Sequence, residues 1–183
     1  MTACAGANYN PCVRCDPSPL IPVLQLCKLL DHSRIGVEIR ESSLLFPAIE
    51  GLHVLALTLS VGLILICDLR LIGAVLRKRP ASEVWNQFFP WMMSGFALMF
   101  ITGTLLFWSH AEKAYYSFAF RTKLALLVLS AVNAAVYHLT IWRSIHRWDA
   151  VLIPPLGARL AGWLSLILWA AVITTGRIMA YSF

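Results

Sequence analysis

The chain has 183 residues, 59% of them hydrophobic and only 13% charged, with a mean hydropathy of +0.72. A soluble domain of this length has no interior large enough for that much apolar surface, so a water-soluble globular fold is excluded. The formal net charge of +6 does not indicate a nucleic-acid partner. The basic residues are scattered or stand at helix ends, where they anchor to lipid headgroups, and no basic patch is interleaved with aromatics.

Residues 1–19 read as a polar tail carrying Cys4, Cys12 and Cys15. The tail lacks a basic start and a continuous apolar stretch, so it is not a secretory signal. Its CVRC is a CxxC pair with no histidine after it, which excludes c-type haem attachment. If the tail lies outside the cell, Cys12 and Cys15 are placed to form a tight, reducible disulfide. Residues 20–43 follow, too polar to span. Leu20, Val23, Leu24, Cys27 and Leu30 recur at helical spacing, which predicts one interfacial amphipathic helix.

Residues 44–183 contain four apolar runs, near 44–67 (with an extension to 76), 88–109, 119–142 and 157–181. Runs of this length predict membrane-spanning helices, because in lipid a helix satisfies its own backbone. The expected fold is therefore an all-α integral membrane protein, a four-transmembrane-helix bundle with an N-terminal interfacial helix. The three connecting loops are short, so neighbouring helices should be antiparallel. The cluster Arg77, Lys78, Arg79 favours a cytoplasmic position for its end of the bundle and places both termini on the periplasmic side of a bacterial inner membrane.

Ionisable residues inside spans are costly and are candidates for function. In the first span Glu50, His53, Leu57, Ser60 and Asp68 fall on one stripe, expected to face the bundle interior, while Arg70 points roughly the other way. The third span repeats the pattern with Lys123, Ser130, Asn133 and Tyr137, with His138 alongside. Sorted by depth, an outer layer holds Glu50, His53, Lys123 and Arg177, with His110 at the edge. An inner layer holds Asp68, Arg70 and His138, with Arg159 at the edge. In the second span Ser94, Gly95, Thr102 and Gly103 read as packing positions.

A histidine below the membrane surface with cations nearer that surface suits haem b. Imidazole would bind the iron, and Lys or Arg would pair with the propionates. His53 and His138 are the candidate metal ligands, and Glu50, Lys123, Arg177 and His110 complete the candidate cofactor site. The two histidines differ by about 15 Å in estimated depth, so they form two half-sites rather than one pair. His138 has Met92 or Met93 near its level. A quinone is the other ligand such layers serve, its oxygens bonded by His, Glu, Tyr or Ser.

The segments FPAIEGLHVLAL, DLRLIG, FALMFITGTLLF and FAFRTKLALLVLSAVNAAVYH resemble a family of bacterial four-helix inner-membrane proteins, a domain of unknown function, over roughly residues 37 to 140. That resemblance implies topology more than activity. A looser similarity, carried by His53 and by the TKLALL that opens the third span, runs to the haem-binding protoporphyrinogen oxidase of bacterial membranes. The expected function is a small membrane subunit, cytochrome-like or quinone-interacting, that passes electrons for a partner complex. The alternative is a non-catalytic accessory subunit, in a larger complex or a homo-oligomer, whose polar layers are purely structural.

Overall fold

The structure is a computed structural model and describes residues 21–149, 151 and 153–182. The CVRC pair lies outside the described residues. Every element among them is helical. Four helices are long and apolar enough to cross a membrane, spanning Leu45–Ile72, Ala81–Ser109, Phe118–Arg147 and Leu156–Met179. The chain is thus an all-helical, multi-pass bundle by length and composition.

The segment expected as one interfacial helix is two. Helix α1 (Ile21–Asp31) and helix α2 (Arg34–Glu41) break at Ser33, which caps α2 by accepting from the Gly36 amide. The break lets α1 and α2 fold across the outer end of the bundle. There Trp108 donates its indole N–H to Ser33 Oγ at 2.8 Å, and Arg40 reaches both Asp31 and the Ser109 carbonyl. Gly36 sits against backbone oxygens of Leu30, Asp31 and Trp108, and a Cβ there would meet Leu30 O at 2.8 Å. Cys27 and Ile39 are buried beneath this cap.

Helix α3 (Leu45–Ile72) ends at Gly73, whose φ of 83° is the left-handed stop that glycine takes without strain. Helix α4 (Ala81–Ser109) starts seven residues earlier than the hydropathy suggests. Its exposed amides find a partner the local sequence does not supply. Asp149, far along the chain, accepts from Ser82 N at 2.8 Å and from the Ser82 hydroxyl. A carboxylate on free amides at a helix start is the favourable sense of the helix dipole. Pro90 lies inside α4 and leaves one turn without its amide donor.

After a short helix α5 (Ala111–Tyr116), α6 (Phe118–Val136) runs on through one π turn, Tyr137–Ile141, and a 3-10 segment, Trp142–Arg147. Helix α7 (Leu156–Ser182) completes the bundle. Glycines set the close crossings. A Cβ on Gly95 would lie 2.3 Å from Ser60 Oγ, between α4 and α3. A Cβ on Gly162 would lie 3.0 Å from Asp68 O, between α7 and α3. Helix α3 packs on α4 and α7, and α7 packs on α6. The order around the bundle is α4, α3, α7, α6. Aromatic rings bridge α4 and α6 at the two ends: Phe107 stacks on Phe120 at 5.4 Å, and Trp85 meets His138 at 4.7 Å and Trp142 at 5.6 Å.

Candidate ligand cleft

Between those aromatic bridges α4 and α6 part, and a cleft of about 810 Å³ opens. That volume lies within the range of small-molecule sites, roughly 300–1,000 Å³. Met93, Ala97, Phe100, Ala131 and Ala134 both line it and are exposed, so its mouth faces the flank of the bundle. Lipid would lie on that side. The walls are apolar, with Met92, Met99, Phe96, Leu127 and Trp169 among them.

The inner end is polar, and the polarity is unsatisfied. Asp68, Arg70 and Tyr137 line the cleft with side chains 7%, 1% and 6% exposed. Asp68 Oδ2, Arg70 Nη1 and the Tyr137 hydroxyl have no hydrogen-bond partner. Ordinarily about nine in ten such buried groups are paired, and each one left unpaired costs on the order of 1–3 kcal/mol. Three residues with an unpaired buried polar atom thus line one end of one cavity.

Each of these groups has a local reason for its position. Asp68 stands on the stripe of α3 that also buries Ser60 and Val61, with Ser165 of α7 beside it. Arg70 corrects the expectation that it points away: it is nearly fully buried. The last turns of α3 are enclosed on all sides by the returning loops. Arg70 Nε donates to Arg79 O at 2.8 Å and Nη2 to Asp149 O at 3.3 Å. One guanidinium thereby ties both loops of that end together and leaves Nη1 buried without a partner. Tyr137 opens the π turn of α6. An extra residue in one helical turn re-aims the side chains around it and is common at functional sites. His138 follows, half-buried, its ring packed among Trp85, Trp142 and Tyr137. Arg159 Nε is also orphaned.

His53 does not line this cleft. In the outer half its Nδ1 lies 2.9 Å from Thr102 Oγ1. The Thr102 hydroxyl donates its hydrogen to Leu98 O at 2.8 Å, so the imidazole must be the donor and Nε2 carries the lone pair. Gly103 makes room for the ring; a Cβ there would meet His53 Cε1 at 3.1 Å. Lys123 lies near, half-buried.

The outer layer is otherwise looser than expected. Glu50 and Arg177 are exposed, and the partner of His53 is Thr102, not Glu50. The inward stripe of α3 thus holds for Ser60 and Asp68, in part for His53, and not for Glu50, which stands near the helix end where water is within reach. His110 lies at the bundle edge with Nδ1 2.9 Å from Ser109 Oγ and its ring 5.4 Å from Phe46. Thr102 and Gly103, read as packing positions, are what shape the His53 niche.

His53 and His138 accordingly occupy separate environments at opposite ends of the bundle, and the structure does not bring them together around one ion. Among the described residues, the group with metal-ligand proximity is Asp31, His32 and Glu112 at the outer surface. Its carboxylates are engaged by Arg40 and Lys28.

Sequence reasoning placed Asp68, Arg70 and His138 in an inner layer, with Arg159 at its edge, and put Tyr137 beside His138 on the third span. It missed Trp85 and the cleft itself. A tryptophan in a loop-like stretch offers no depth signal, and a separation between two helices leaves none at all.

With this geometry in hand, the comparisons define the class. The chain matches a family of unknown function (DUF6644) over residues 44–182. It belongs to that family, and the match takes in all four spans and both polar layers. No curated protein and no solved structure matches the chain, and the looser likeness to protoporphyrinogen oxidase has no counterpart in these comparisons.

Proposed function

We propose that the chain is a small, quinone-interacting subunit of a bacterial inner membrane that works with a partner redox complex, its inner cleft receiving the quinone headgroup. The observation that carries this reading is the convergence of orphaned Asp68, Arg70 and Tyr137 on one end of an apolar, laterally opening cavity. Arg70 Nη1 and the Tyr137 hydroxyl are donors suited to a quinone carbonyl. Asp68 is an acceptor suited to the hydroxyl of the reduced form. The Met and aromatic walls suit the ring, and the flank opening suits an isoprenoid tail left in lipid. Exposed Arg77, Lys78, Arg79, Arg143 and Arg147 at the same end of the bundle support placing that end in the cytoplasm and the termini outside.

The test is direct. Protein extracted gently from native membranes is assayed for bound quinone by solvent extraction and chromatography, and for its visible spectrum. Co-purifying quinone that is depleted about tenfold by Tyr137→Phe is the expected result; one hydrogen bond to the ligand is worth about that factor. Absence of any bound or rebinding quinone removes the reading. A Soret band in its place would move the cleft to haem b, with His138 as its histidine and Met92 or Met93 opposite.

One observation favours the accessory alternative. Arg70 spends two donors on loop carbonyls, so part of the inner layer is structural whatever the cleft binds.

A further inference from the structure

The outer half carries a charge that nothing among the described residues balances. Lys123 is the sixth residue of α6, about 7 Å along the helix from its outer start at a rise of 1.5 Å per residue. A span of this length overhangs a hydrocarbon core of about 30 Å, which puts Lys123 near the hydrocarbon boundary. A lysine there ordinarily extends its amine outward to water. This one turns inward. Its Nζ lies 3.6 Å from where a Cβ on Gly176 of α7 would be, and the His53 imidazole on α3 is within its electrostatic reach. The ion pairs of the described residues are Lys28–Glu112, Arg34–Glu38, Arg40–Asp31 and Arg79–Glu83. None involves Lys123, and no described carbonyl or hydroxyl accepts from its amine. Glu50, the nearest acid by depth on α3, is exposed.

The neighbouring imidazole adds a second requirement. His53 commits Nδ1–H to Thr102, which makes Nε2 the acceptor nitrogen of the ring. The niche therefore asks for an anionic oxygen at Lys123 and a hydroxyl at His53. Gly103 gives room to the His53 ring and the Lys123 amine lies against Gly176, and exposed Arg177, next to Gly176, adds positive charge at the same level.

We propose that this niche is a second ligand site, independent of the inner cleft, for a phosphate group with a neighbouring hydroxyl, such as a glycerol phosphate headgroup at the edge of the outer leaflet. Lys123 holds the phosphate oxygen, and His53 selects for the hydroxyl.

Delipidated protein in detergent is titrated with phosphatidylglycerol and, separately, with phosphatidylcholine, with bound lipid counted by native mass spectrometry. Glycerol 3-phosphate serves as the soluble probe. One phosphatidylglycerol should be retained about tenfold more tightly than phosphatidylcholine. Lys123→Gln should abolish that difference, and Lys123→Arg, which keeps the charge, should preserve it and serve as the folding control. His53→Leu should reduce the preference for the hydroxyl-bearing headgroup while leaving the lipid count unchanged. Displacement by millimolar glycerol 3-phosphate would assign the site to a soluble phosphate; resistance to it would assign the site to lipid. Equal retention of both lipids by wild type, or retention unchanged by Lys123→Gln, marks annular lipid and overturns the proposal.

Discussion

The two halves of this bundle handle buried polarity in opposite ways. In the outer half the polar groups meet protein partners, Lys123 excepted: His53 bonds Thr102, Trp108 bonds Ser33, and Arg40 bonds Asp31 and Ser109 O. In the inner half the most buried polar groups keep atoms without partners, namely Asp68 Oδ2, Arg70 Nη1 and the Tyr137 hydroxyl. The difference follows from packing. The cap of α1 and α2 covers the outer end, whereas α4 and α6 stand apart above the inner layer. A polar residue that finds a partner in the closed region stabilises the fold, and one left without a partner does not. The same residue type then has different consequences when it is removed.

Substitutions can break that comparison. The largest effect is expected for Arg70→Met. It removes two donors and leaves the Arg79 carbonyl without this partner, while Asp149 O keeps the Ala81 amide, at about 1–3 kcal/mol for the stranded group. Thermal unfolding in detergent should show a loss of about 2–3 kcal/mol, with the loops at that end becoming open to protease. An unaffected melting curve would mean the guanidinium does not tie the loops.

Thr102→Val comes next. It preserves shape but removes the hydroxyl that accepts from His53 Nδ1–H, and should cost about 1–2 kcal/mol. Tyr137→Phe makes the contrast sharp. Although Tyr137 is as buried as Thr102, its hydroxyl has no protein partner. In ligand-free protein its removal should therefore cost no stability and should raise it, by up to about 1–3 kcal/mol. Equal losses for the two variants would erase the distinction between a closed half and an open one.

The smallest effect concerns pH at the outer cap. Burial, with Lys113 and Arg40 nearby, holds the His110 pKa below its usual value, against the pull of Asp31. A base whose protonation is disfavoured in the fold binds its proton more readily unfolded. Stability is then full above the unfolded pKa, near 6.5, and falls as pH drops below it. Melting temperature should decline gently from about pH 6.5 downward in wild type, and more weakly in His110→Gln.

The sequence by itself determined the class of the molecule. Four runs too long and apolar for a water-soluble core admit helices only, because hydrocarbon offers no partner for a backbone amide. The positions of Ser60, Asp68, Ser130 and Asn133 on inward faces also followed from helical period alone. Tertiary structure decided the rest. The start of α4 depends on Asp149, a cap some 67 residues away. Arg70, which helical period turns outward, is buried because loops from two other parts of the chain close over it. The cleft exists because α4 and α6 separate while their neighbours pack, a relation between helices that no local pattern encodes. Whether a buried hydroxyl or carboxylate is satisfied or waiting depends on what stands opposite it, and that is a property of the assembled bundle.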